Sequence, residues 1–424
     1  MSTPKSIVIV STNDCLGGAA IVSYRLMKAL QNIGIDTKML VMNKQSDNPD
    51  IIRLSVKPLR KYKFLRERLG IYTRNGHDRE QLFKVSTASF GFRIDRHPLI
   101  KKADAVILNW INQGMLSLKS IEKLVSTGKP VIWTMHDMWC MTGICHHSYD
   151  CERFKQHCGN CPFLGSYASP YDLSHEVWMK KHKLYAATPD LQFVAVSTWL
   201  RDRALKSSLL RDRDIRVIHN AFNSEDFPTY MTVDPNKRHH RNFKRVITMG
   251  AARIDDPIKG FKYAVDALNK LVDEHPEDIV DTVFILFGSL RDDTDLRRLR
   301  FPHILAGEIN DPKRVASLFA ISDVVLSSSH YESLPGTIIE GMSAGAIPVT
   351  FDNGGQKDII DHRITGYLAH YPDVNDLANG ILWALKCTNS REQMHQEISE
   401  RFGSEKIARQ YVNLIKEMNE RRNK

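Results

Sequence analysis

The sequence predicts an α/β protein built from two doubly wound parallel sheets. Short apolar, β-branched runs alternate with amphipathic helical runs along the chain, as in parallel strands joined by crossover helices. The alternation is interrupted once, by a polar stretch at 220–243 that contains two prolines and a basic run. With 424 residues the chain has room for two domains of about 200 residues each.

The first predicted domain covers residues 1–219. Its strands are expected at 6–11, 37–42, 105–109, 130–134, 192–196 and 215–218. Helices are expected at 21–33 and 116–126, with a third closing at Ala187 and a fourth that Ser197 caps and that runs to Lys206.

The second predicted domain covers residues 244–403, after a linker at 220–243. Its strands are expected at 245–249, 282–287, 303–305 and 324–327, with a helix from the loop at 250–260 to about His275. A final helix is expected within 404–424, because Ile407, Tyr411 and Leu414 recur on one helical face.

Composition and charge favour an ordinary globular protein with an anionic partner. Apolar residues make up 42% and charged residues 25% of the chain, and the net charge is +10. The charge suits a phosphorylated substrate, a lipid surface or nucleic acid equally well. The apolar run at 7–10 is too short for a signal peptide, and no 18-residue apolar run occurs. We therefore expect a cytoplasmic protein.

Two basic segments require separate interpretation. At 57–102, lysines and arginines crowd around apolar residues such as Phe64 and Leu69, a pattern that suits an anionic membrane surface. A solvated helix covering the domain is the alternative. The run at 237–241 lacks interleaved aromatic residues, so it is read as a solvated connector and no nucleic-acid partner is expected.

A glycine pair follows the first predicted strand. Gly17 and Gly18 lie between this strand and the first amphipathic helix. Glycines there permit a tight turn and let a ligand approach the helix N-terminus, although the full dinucleotide fingerprint is absent. A purely structural turn is an equally good interpretation.

A carboxylate-bearing loop leads into a helix at 331–342. Glu332 and Glu340 stand eight positions apart, with Pro335 and Gly336 between them. Proline suits a first helical turn, and glycine lets a ligand approach the unpaired N–H groups at Gly336 and Thr337. This arrangement favours a phosphate at the amides and hydroxyl groups at the carboxylates. The alternative is a surface loop before an ordinary amphipathic helix.

The loop at 250–260 carries two cations, Arg253 and Lys259, flanked by glycines. A guanidinium grips phosphate oxygens in a fork, and an ammonium adds a mobile point charge. The pair therefore suits a diphosphate.

His136 directly follows the strand predicted at 130–134. Open α/β sheets bind ligands at the carboxyl ends of their strands, which favours a functional role for this imidazole. A hydrogen-bonded structural histidine is the alternative.

Five of the seven cysteines lie in the loop at 140–161. Four have the spacing Cys145-x5-Cys151-x6-Cys158-x2-Cys161. In a cytosolic chain this clustering favours thiolate ligation of zinc over disulfides, and a closed four-thiolate site would be structural rather than catalytic. Free or redox-labile thiols are the alternative. His146 or His147 is an alternative ligand to one of the cysteines.

Together these motifs resemble glycosyltransferase family 4, the retaining enzymes of GT-B architecture. The resemblance is carried by Arg253-x5-Lys259-Gly260, Glu332-x7-Glu340, the glycines at 354–355 and the Gly-Tyr-Leu at 366–368. The Gly17-Gly18 loop, the motif at 136–139 and the cysteine loop are similar to a bacterial branch that assembles surface polysaccharides.

The resemblance implies a fold of two Rossmann-like domains facing a central cleft, with the helix at 404–424 returning to the first domain. It implies a nucleoside-diphosphate sugar as donor and a glycan or lipid-linked acceptor. The net charge and the segment at 57–69 add the expectation that the protein is peripheral on the inner face of the cytoplasmic membrane. Transfer would retain the anomeric configuration and need no cofactor for catalysis.

The resemblance also implies a role for each candidate residue. Arg253 and Lys259 would bind the pyrophosphate, with Gly336 and Thr337 on the donor, Glu332 on the sugar hydroxyls, Glu340 on the ribose, Gly17 and Gly18 at the phosphates, and His136 beside the reacting carbon. Catalysis would involve His136 and Glu332.

Some positions depart from the family pattern. Gln356-Lys357-Asp358 stands where relatives often carry an acidic pair, so the sequence leaves the donor base open. Two other functions also stay open: a GT-B nucleotide-sugar epimerase and a non-enzymatic protein that binds nucleic acid or another anion.

Overall fold

The computed structural model describes residues 3–227 and 243–422. The chain separates into two compact units, one of residues 1–221 with 404–424 and the other of residues 222–403. Most of the predicted linker at 220–243, with its basic run at 237–241, lies outside the described residues.

The first unit contains a seven-stranded sheet in the order β3-β2-β1-β4-β5-β6-β7, with all neighbours parallel. The strands are β1 Ser6–Asn13, β2 Asp36–Asn43, β3 Ile51–Arg53, β4 Ala105–Leu108, β5 Val131–Met135, β6 Leu191–Ala195 and β7 Ile215–Val217. The helices of residues 1–221 are α1 Gly18–Asn32, α2 Lys57–Tyr72, α3 Pro98–Lys102, α4 Leu118–Val125, α5 Leu173–Ala187 and α6 Thr198–Lys206.

The second unit contains a six-stranded parallel sheet in the order β10-β9-β8-β11-β12-β13. The strands are β8 Arg245–Arg253, β9 Thr282–Ser289, β10 His303–Gly307, β11 Val324–Ser327, β12 Ile347–Phe351 and β13 Tyr367–Ala369. The helices are α7 Phe261–Glu274, α8 Thr294–Arg298, α9 Pro312–Ala320, α10 Gly336–Ser343, α11 Val374–Lys386 and α12 Arg391–Phe402.

The last helix, α13 Ser404–Arg422, belongs to the first unit. Its apolar face, with Ile407 and Leu414, shares one buried core with Leu26 of α1. The hydroxyl of Tyr411 is 3.0 Å from Thr134 Oγ1 on β5. The terminal helix therefore completes the first core by burying apolar surface that residues 1–221 leave open.

The fold confirms the prediction of two doubly wound parallel sheets. Most predicted boundaries differ from the observed ones by up to three residues, and the largest error is at β8, which continues to Arg253 and does not end at Met249. The small residues Gly250, Ala251 and Ala252 allow an irregularity in register, after which Arg253 pairs with Ser289. Arg253 is therefore at a strand end and not inside a flexible loop.

The connection between β5 and α5 is the longest irregular stretch of the first unit. Its helical turns are short 3₁₀ segments at Trp139–Met141, Arg153–Lys155 and Pro162–Tyr167. It contains the cysteine loop predicted at 140–161, and an isolated bridge joins Cys145 to Val85.

Candidate functional site

The strand order places a ligand-binding edge at β8 and β11 in the second sheet. These two strands are neighbours, and the strands that follow them, β9 and β12, lie on opposite sides of the pair. Loops leaving their carboxyl ends diverge at such a switch point, which opens a crevice for ligands. Arg253 ends β8, and Glu332 follows β11 by five residues.

The loop after β8 is fixed against the loop after β11. Gly260 has φ 60°, and a Cβ there would lie 2.2 Å from the carbonyl oxygen of Ser328, so only glycine fits. The backbone N–H of His330 donates to the carbonyl of Ile258 at 2.8 Å. The close approach positions the side chain of Lys259 toward the β11 loop.

Lys259 and Glu332 form the central ion pair of this edge. Lys259 Nζ donates to Glu332 Oε1 at 2.7 Å, and Ser329 Oγ donates to the same oxygen at 2.9 Å. Although burial acts to lower it, the Glu332 carboxylate raises the pKa of Lys259 above its usual value. The two side chains are 31% and 17% exposed, so the pair is charged and accessible.

Arg253 is the second cation. Its Nε is 3.9 Å from Asp255 Oδ1, and one terminal nitrogen is 3.4 Å from Asp256 Oδ2. These contacts are longer than a close bidentate pair, and the side chain is 34% exposed. The guanidinium therefore retains donors for an anionic ligand.

Helix α10 begins without a side-chain cap. Its N-cap is Pro335, whose side chain has no hydrogen-bond acceptor to cap the helix. The first N–H groups, at Gly336 and Thr337, therefore point out of the helix N-terminus. Gly336 is exposed, and a Cβ there would meet nothing within 4 Å. Glu340 is half-buried one turn further along the helix.

The loop after β12 fixes Glu332 from the other side. Gly355 N–H donates to the Glu332 carbonyl at 2.8 Å, and a Cβ on Gly354 would lie 2.2 Å from that carbonyl. Glycine at position 354 is thus required by a close backbone approach. Next to Gly355, Gln356 is fully buried, and within the described residues neither Oε1 nor Nε2 has a hydrogen-bond partner.

Sequence reasoning missed an aromatic group at the same edge. His330, Tyr371 and Tyr263 pack together, with 5.2 Å between the ring centroids of Tyr263 and His330. The Tyr371 hydroxyl bonds to His330 Nδ1. A sequence signal exists for this group, because its members lie after β11, after β13 and in the first turn of α7. Residues at these strand and helix ends face the edge of the sheet where ligands bind.

In the first sheet, β1 and β4 flank the equivalent switch point. Gly17 has φ 87° and is the N-cap of α1, with no side-chain cap. A Cβ on Gly17 or Gly18 would meet no atom within 4 Å. The backbone angle of Gly17 therefore favours glycine, while the space around both residues is open.

His136 follows β5, and its Nε2 is buried without a hydrogen-bond partner among the described residues. Burial lowers the pKa of His136 to about 4, although Asp137 acts against the shift. The imidazole is therefore neutral near pH 7.

Asp137 anchors the backbone next to His136. It accepts hydrogen bonds from Trp110 Nε1 at 2.9 Å, the Trp139 backbone N–H at 2.8 Å and His146 Nδ1 at 2.6 Å. Burial acts to raise the pKa of Asp137, but His146 holds it well below its usual value. Because Ser86 Oγ contacts His146 Nε2 at 3.0 Å, both ring nitrogens of His146 are engaged.

The four predicted metal-ligand cysteines line one small cavity of about 20 Å³. All four are free thiols; Cys151 is half-buried, and Cys145, Cys158 and Cys161 are buried. Burial raises the pKa of the Cys158 thiol to about 11 and that of Cys161 to about 12.

No three of these sulfur atoms lie within 4.8 Å of one another. Among the described residues, donor atoms that meet this distance belong to a different group, His275, Glu277 and Asp278.

Helix α2 exposes apolar side chains on its outer surface. Leu59, Tyr62, Leu65 and Leu69 are between 43% and 57% exposed. Its buried side contains an ion pair, in which Arg68 is 3.5 Å from Glu67. In the described part of the chain, every helix is too short or too polar to span a bilayer.

Comparison with known families gives one match. Residues 234–401 match the family described as glycosyl transferases group 1. This range contains the donor-site candidates Arg253, Lys259, Glu332 and Glu340.

Two curated relatives are similar to parts of the chain. A colanic acid biosynthesis glycosyl transferase of Escherichia coli, WcaC, is 22% identical over 62% of this chain. The N-acetyl-alpha-D-glucosaminyl L-malate synthase of Bacillus anthracis is 30% identical over 42% of it. The alignments span 64% and 44% of the relatives' own lengths, less than two thirds of each.

Solved structures are similar over nearly the whole chain. A glycosyltransferase of Rickettsia africae has a TM-score of 0.61 at 17% identity, covering 97% of this chain and 98% of its own. HepE of Anabaena, in complex with UDP and glucose, has a TM-score of 0.60 at 16% identity and covers 97% of this chain and 100% of its own. WaaG, involved in lipopolysaccharide biosynthesis, has a TM-score of 0.60 at 13% identity and covers 96% of this chain and 99% of its own. The chain therefore has the GT-B fold of these proteins.

Proposed function

We propose that the chain is a retaining glycosyltransferase that moves a sugar from a nucleoside diphosphate to an acceptor hydroxyl. The match of residues 234–401 to the glycosyl transferases of group 1 supports this proposal. The observation that carries this proposal is the Lys259–Glu332 pair beside the uncapped N-terminus of α10. A cation, a carboxylate and outward N–H groups meet at the switch point of a parallel sheet.

The donor diphosphate would bind where positive charge is concentrated. Arg253 and Lys259 provide two cations, and the N–H groups of Gly336 and Thr337 provide donors at the positive end of the α10 dipole. Such groups stabilise the charge that develops on the departing nucleoside diphosphate, and their positions are set before the reaction. In this proposal transfer needs no cofactor.

The two glutamates would recognise hydroxyl groups. Glu332 is fixed through its carbonyl by Gly355 and through its carboxylate by Lys259, which suits the reacting sugar. Glu340 lies one turn into α10, which suits the ribose. His136 offers a neutral imidazole, a hydrogen-bonding group that adds no charge next to an electron-poor sugar carbon.

The relatives support a sugar polymer or lipid-linked oligosaccharide as acceptor. The names of these similar proteins include colanic acid and lipopolysaccharide biosynthesis, and the structure of HepE was solved with UDP and glucose. We therefore propose a role in surface polysaccharide assembly and choose UDP-sugars as the first donors to test. The reaction would take place in the cytoplasm.

The exposed face of α2 supports a peripheral contact with anionic lipid. Leu59, Leu65 and Leu69 point outward on a helix whose buried side holds an ion pair, the reverse of an ordinary surface helix. Lys57 and Lys61, both exposed on the same helix, add positive charge for lipid headgroups.

Vesicle cosedimentation at low salt tests this contact. The wild-type chain should bind phosphatidylglycerol vesicles and not phosphatidylcholine vesicles, and Leu65→Gln with Leu69→Gln should weaken binding several-fold. Leu305→Gln is the control, since Leu305 is a 45% exposed leucine of the second unit. Equal binding by all three proteins would rule out α2 as the contact.

A thermal-shift panel tests the donor site. UDP, GDP, ADP and their sugar conjugates are added without metal to the wild type and to Glu340→Ala. A ligand that binds only the native state raises the melting temperature, and removal of Glu340 should reduce that rise. Glu308→Ala, which removes an exposed carboxylate of the second domain, should leave it unchanged. No shift with any nucleotide would overturn the transferase proposal.

Product analysis distinguishes transfer from the alternatives. With the nucleotide sugar that gives the largest shift, transfer requires an acceptor and preserves the anomeric configuration. Formation of an epimer without acceptor would identify an epimerase on the same fold.

A further inference from the structure

We propose that Cys145, Cys151, Cys158 and Cys161 bind one zinc ion, which cross-links the middle of the irregular connection between β5 and α5. The site is independent of the donor site and of the proposed transfer reaction. All four ligands lie in the first unit, within 17 residues of sequence.

The cavity that these cysteines share has the size of a single ion or water molecule. Its volume is about 20 Å³, and a space of about 10–15 Å³ holds one water. Ile144, Phe154 and Phe163 contribute apolar walls. Ser148, Arg153 and Ser174 add polar groups to the lining. The four sulfur atoms give a thiophilic metal a complete set of ligands.

A backbone amide already points at one of the sulfur atoms. Gly143 N–H donates to Cys158 Sγ at 3.1 Å. Amide donors of this kind orient metal-bound thiolates and stabilise their negative charge. A Cβ on Gly143 would lie 2.4 Å from the carbonyl of Ser174, so the close approach of this amide requires glycine.

A buried lysine lies beside the cluster. Lys181 of α5 is fully buried, and its Nζ donates to the carbonyls of Trp139 and Thr142. Thr142 directly precedes Gly143, whose N–H donates to Cys158 Sγ. Burial lowers the pKa of Lys181 to about 7, and the neighbouring thiols of Cys140, Cys158 and Cys145 act against that shift. A zinc ion with four thiolates has a net charge of −2, and the protonated lysine would offset half of it.

Zinc would also draw the sulfur atoms together. Zn–S bonds of about 2.3 Å in a tetrahedron require sulfur–sulfur distances of about 3.8 Å, and here no three sulfurs lie within 4.8 Å of one another. The connection has only short 3₁₀ turns, so an inward shift of Cys151, the half-buried ligand, is compatible with its surroundings. Metal binding would tighten this segment as it forms.

His146 is excluded as a ligand in this arrangement. Its two ring nitrogens contact Asp137 and Ser86, and both contacts would break if the ring turned to the cavity.

Metal stoichiometry tests the proposal on the full chain. Protein produced with zinc in the medium and purified under reducing conditions should contain about one zinc per chain. Cys161→Ser should contain less than about a third of that. Cys387→Ser is the matched control, since Cys387 is a half-buried cysteine of the second unit, and it should retain the full amount.

Cobalt binding to the wild-type chain gives a test that needs no variant. After zinc removal, Co²⁺ should produce sulfur-to-metal charge-transfer absorption that saturates at about one equivalent, with the intensity of a tetrahedral four-thiolate site. Loss of this absorption in Cys151→Ser, with a normal melting transition, would support the assignment. Absence of bound zinc and cobalt in reduced protein, or two disulfides among these cysteines by mass spectrometry, would overturn it.

Discussion

The two domains have parallel sheets of related strand order but carry different chemistry at the carboxyl edge. The first sheet has one strand more than the second, and the order of the other six strands is the same. In the second domain, the carboxyl ends of β8 and β11 hold Arg253, Lys259 and Glu332. In the first domain, the carboxyl edge offers the open backbone of Gly17 and the neutral imidazole of His136. Similar sheets thus provide accessible cations and a carboxylate in one case and a neutral imidazole with open backbone in the other.

The difference also concerns how firmly each edge is held. The loop of Glu332 is hydrogen-bonded to the loops on both sides, through Lys259 and Gly355. The turn at residues 15–18 is exposed on its whole length, and its nearest anchor is the buried Asp14, which accepts from the N–H groups of Gln45 and Ser46. The preorganised charge of the second domain suits the diphosphate of the proposed donor.

The largest effect is expected from Lys259→Ala. The substitution removes one of two cations and leaves the half-buried Glu332 carboxylate without its ion-pair partner. We therefore expect kcat/KM to fall about 10²- to 10³-fold. Steady-state kinetics with the best donor measures this loss. Lys313→Ala removes an exposed lysine from α9 and should have no effect. Full activity in Lys259→Ala would mean that the charged edge is not the donor site.

An intermediate effect is expected from His136→Asn. Loss of one uncharged hydrogen-bonding group should lower kcat about 5- to 100-fold and leave the thermal shift with nucleoside diphosphate unchanged. A change in nucleotide affinity of the same size as the change in kcat would contradict the proposal that His136 acts at the sugar and not at the nucleotide.

The pH dependence of stability gives a second test of His136. Its folded pKa of about 4 is below the ordinary value near 6.5, so between these values the unfolded chain binds more protons and stability falls as pH falls. The melting temperature of the wild type should therefore drop more between pH 7 and pH 5 than that of His136→Asn. Identical drops would show that the imidazole is not held neutral.

The smallest effect is expected from Gly17→Ala. The φ of 87° should cost a residue with a side chain about 1 kcal/mol, while the open space around it avoids a clash. The melting temperature of Gly17→Ala should be a few degrees lower than that of the wild type, and its activity only a few-fold lower. Gly18→Ala is the control, because Gly18 is the first helical residue of α1 and has no left-handed φ. Equal changes in both variants would show that the backbone angle is unimportant.

Local patterns predicted the strands well where both faces of the sheet are covered. The run at 324–327 was predicted with the bounds that β11 has, because its four buried residues form a continuous apolar segment that ends in serines. The end of β8 was predicted four residues too early, since glycine and alanine at 250–252 look like loop residues. Pairing with β9 overrides that local preference.

The sequence predicted the positions of the candidate site residues at strand ends more readily than the contacts between their side chains. Arg253, Lys259 and Glu332 follow strands that meet at a switch point, so their proximity could be expected. Spacing alone did not indicate that Lys259 and Glu332 pair with each other, or that Ser329 shares the same carboxylate oxygen. The aromatic group of His330 and Tyr371 was missed because its members come from different loops.

The sequence by itself determined the two parallel sheets, the strand-end positions of the charged residues and the cysteine spacing, because the alternation of strands and helices follows from local patterns of apolar residues. Tertiary structure alone decided that His136 is buried and neutral, that His146 binds Asp137 and Ser86, and that Lys181 lies beside the cysteines. Burial, pKa and pairing depend on what distant segments place around a side chain, and one-dimensional spacing does not contain that information.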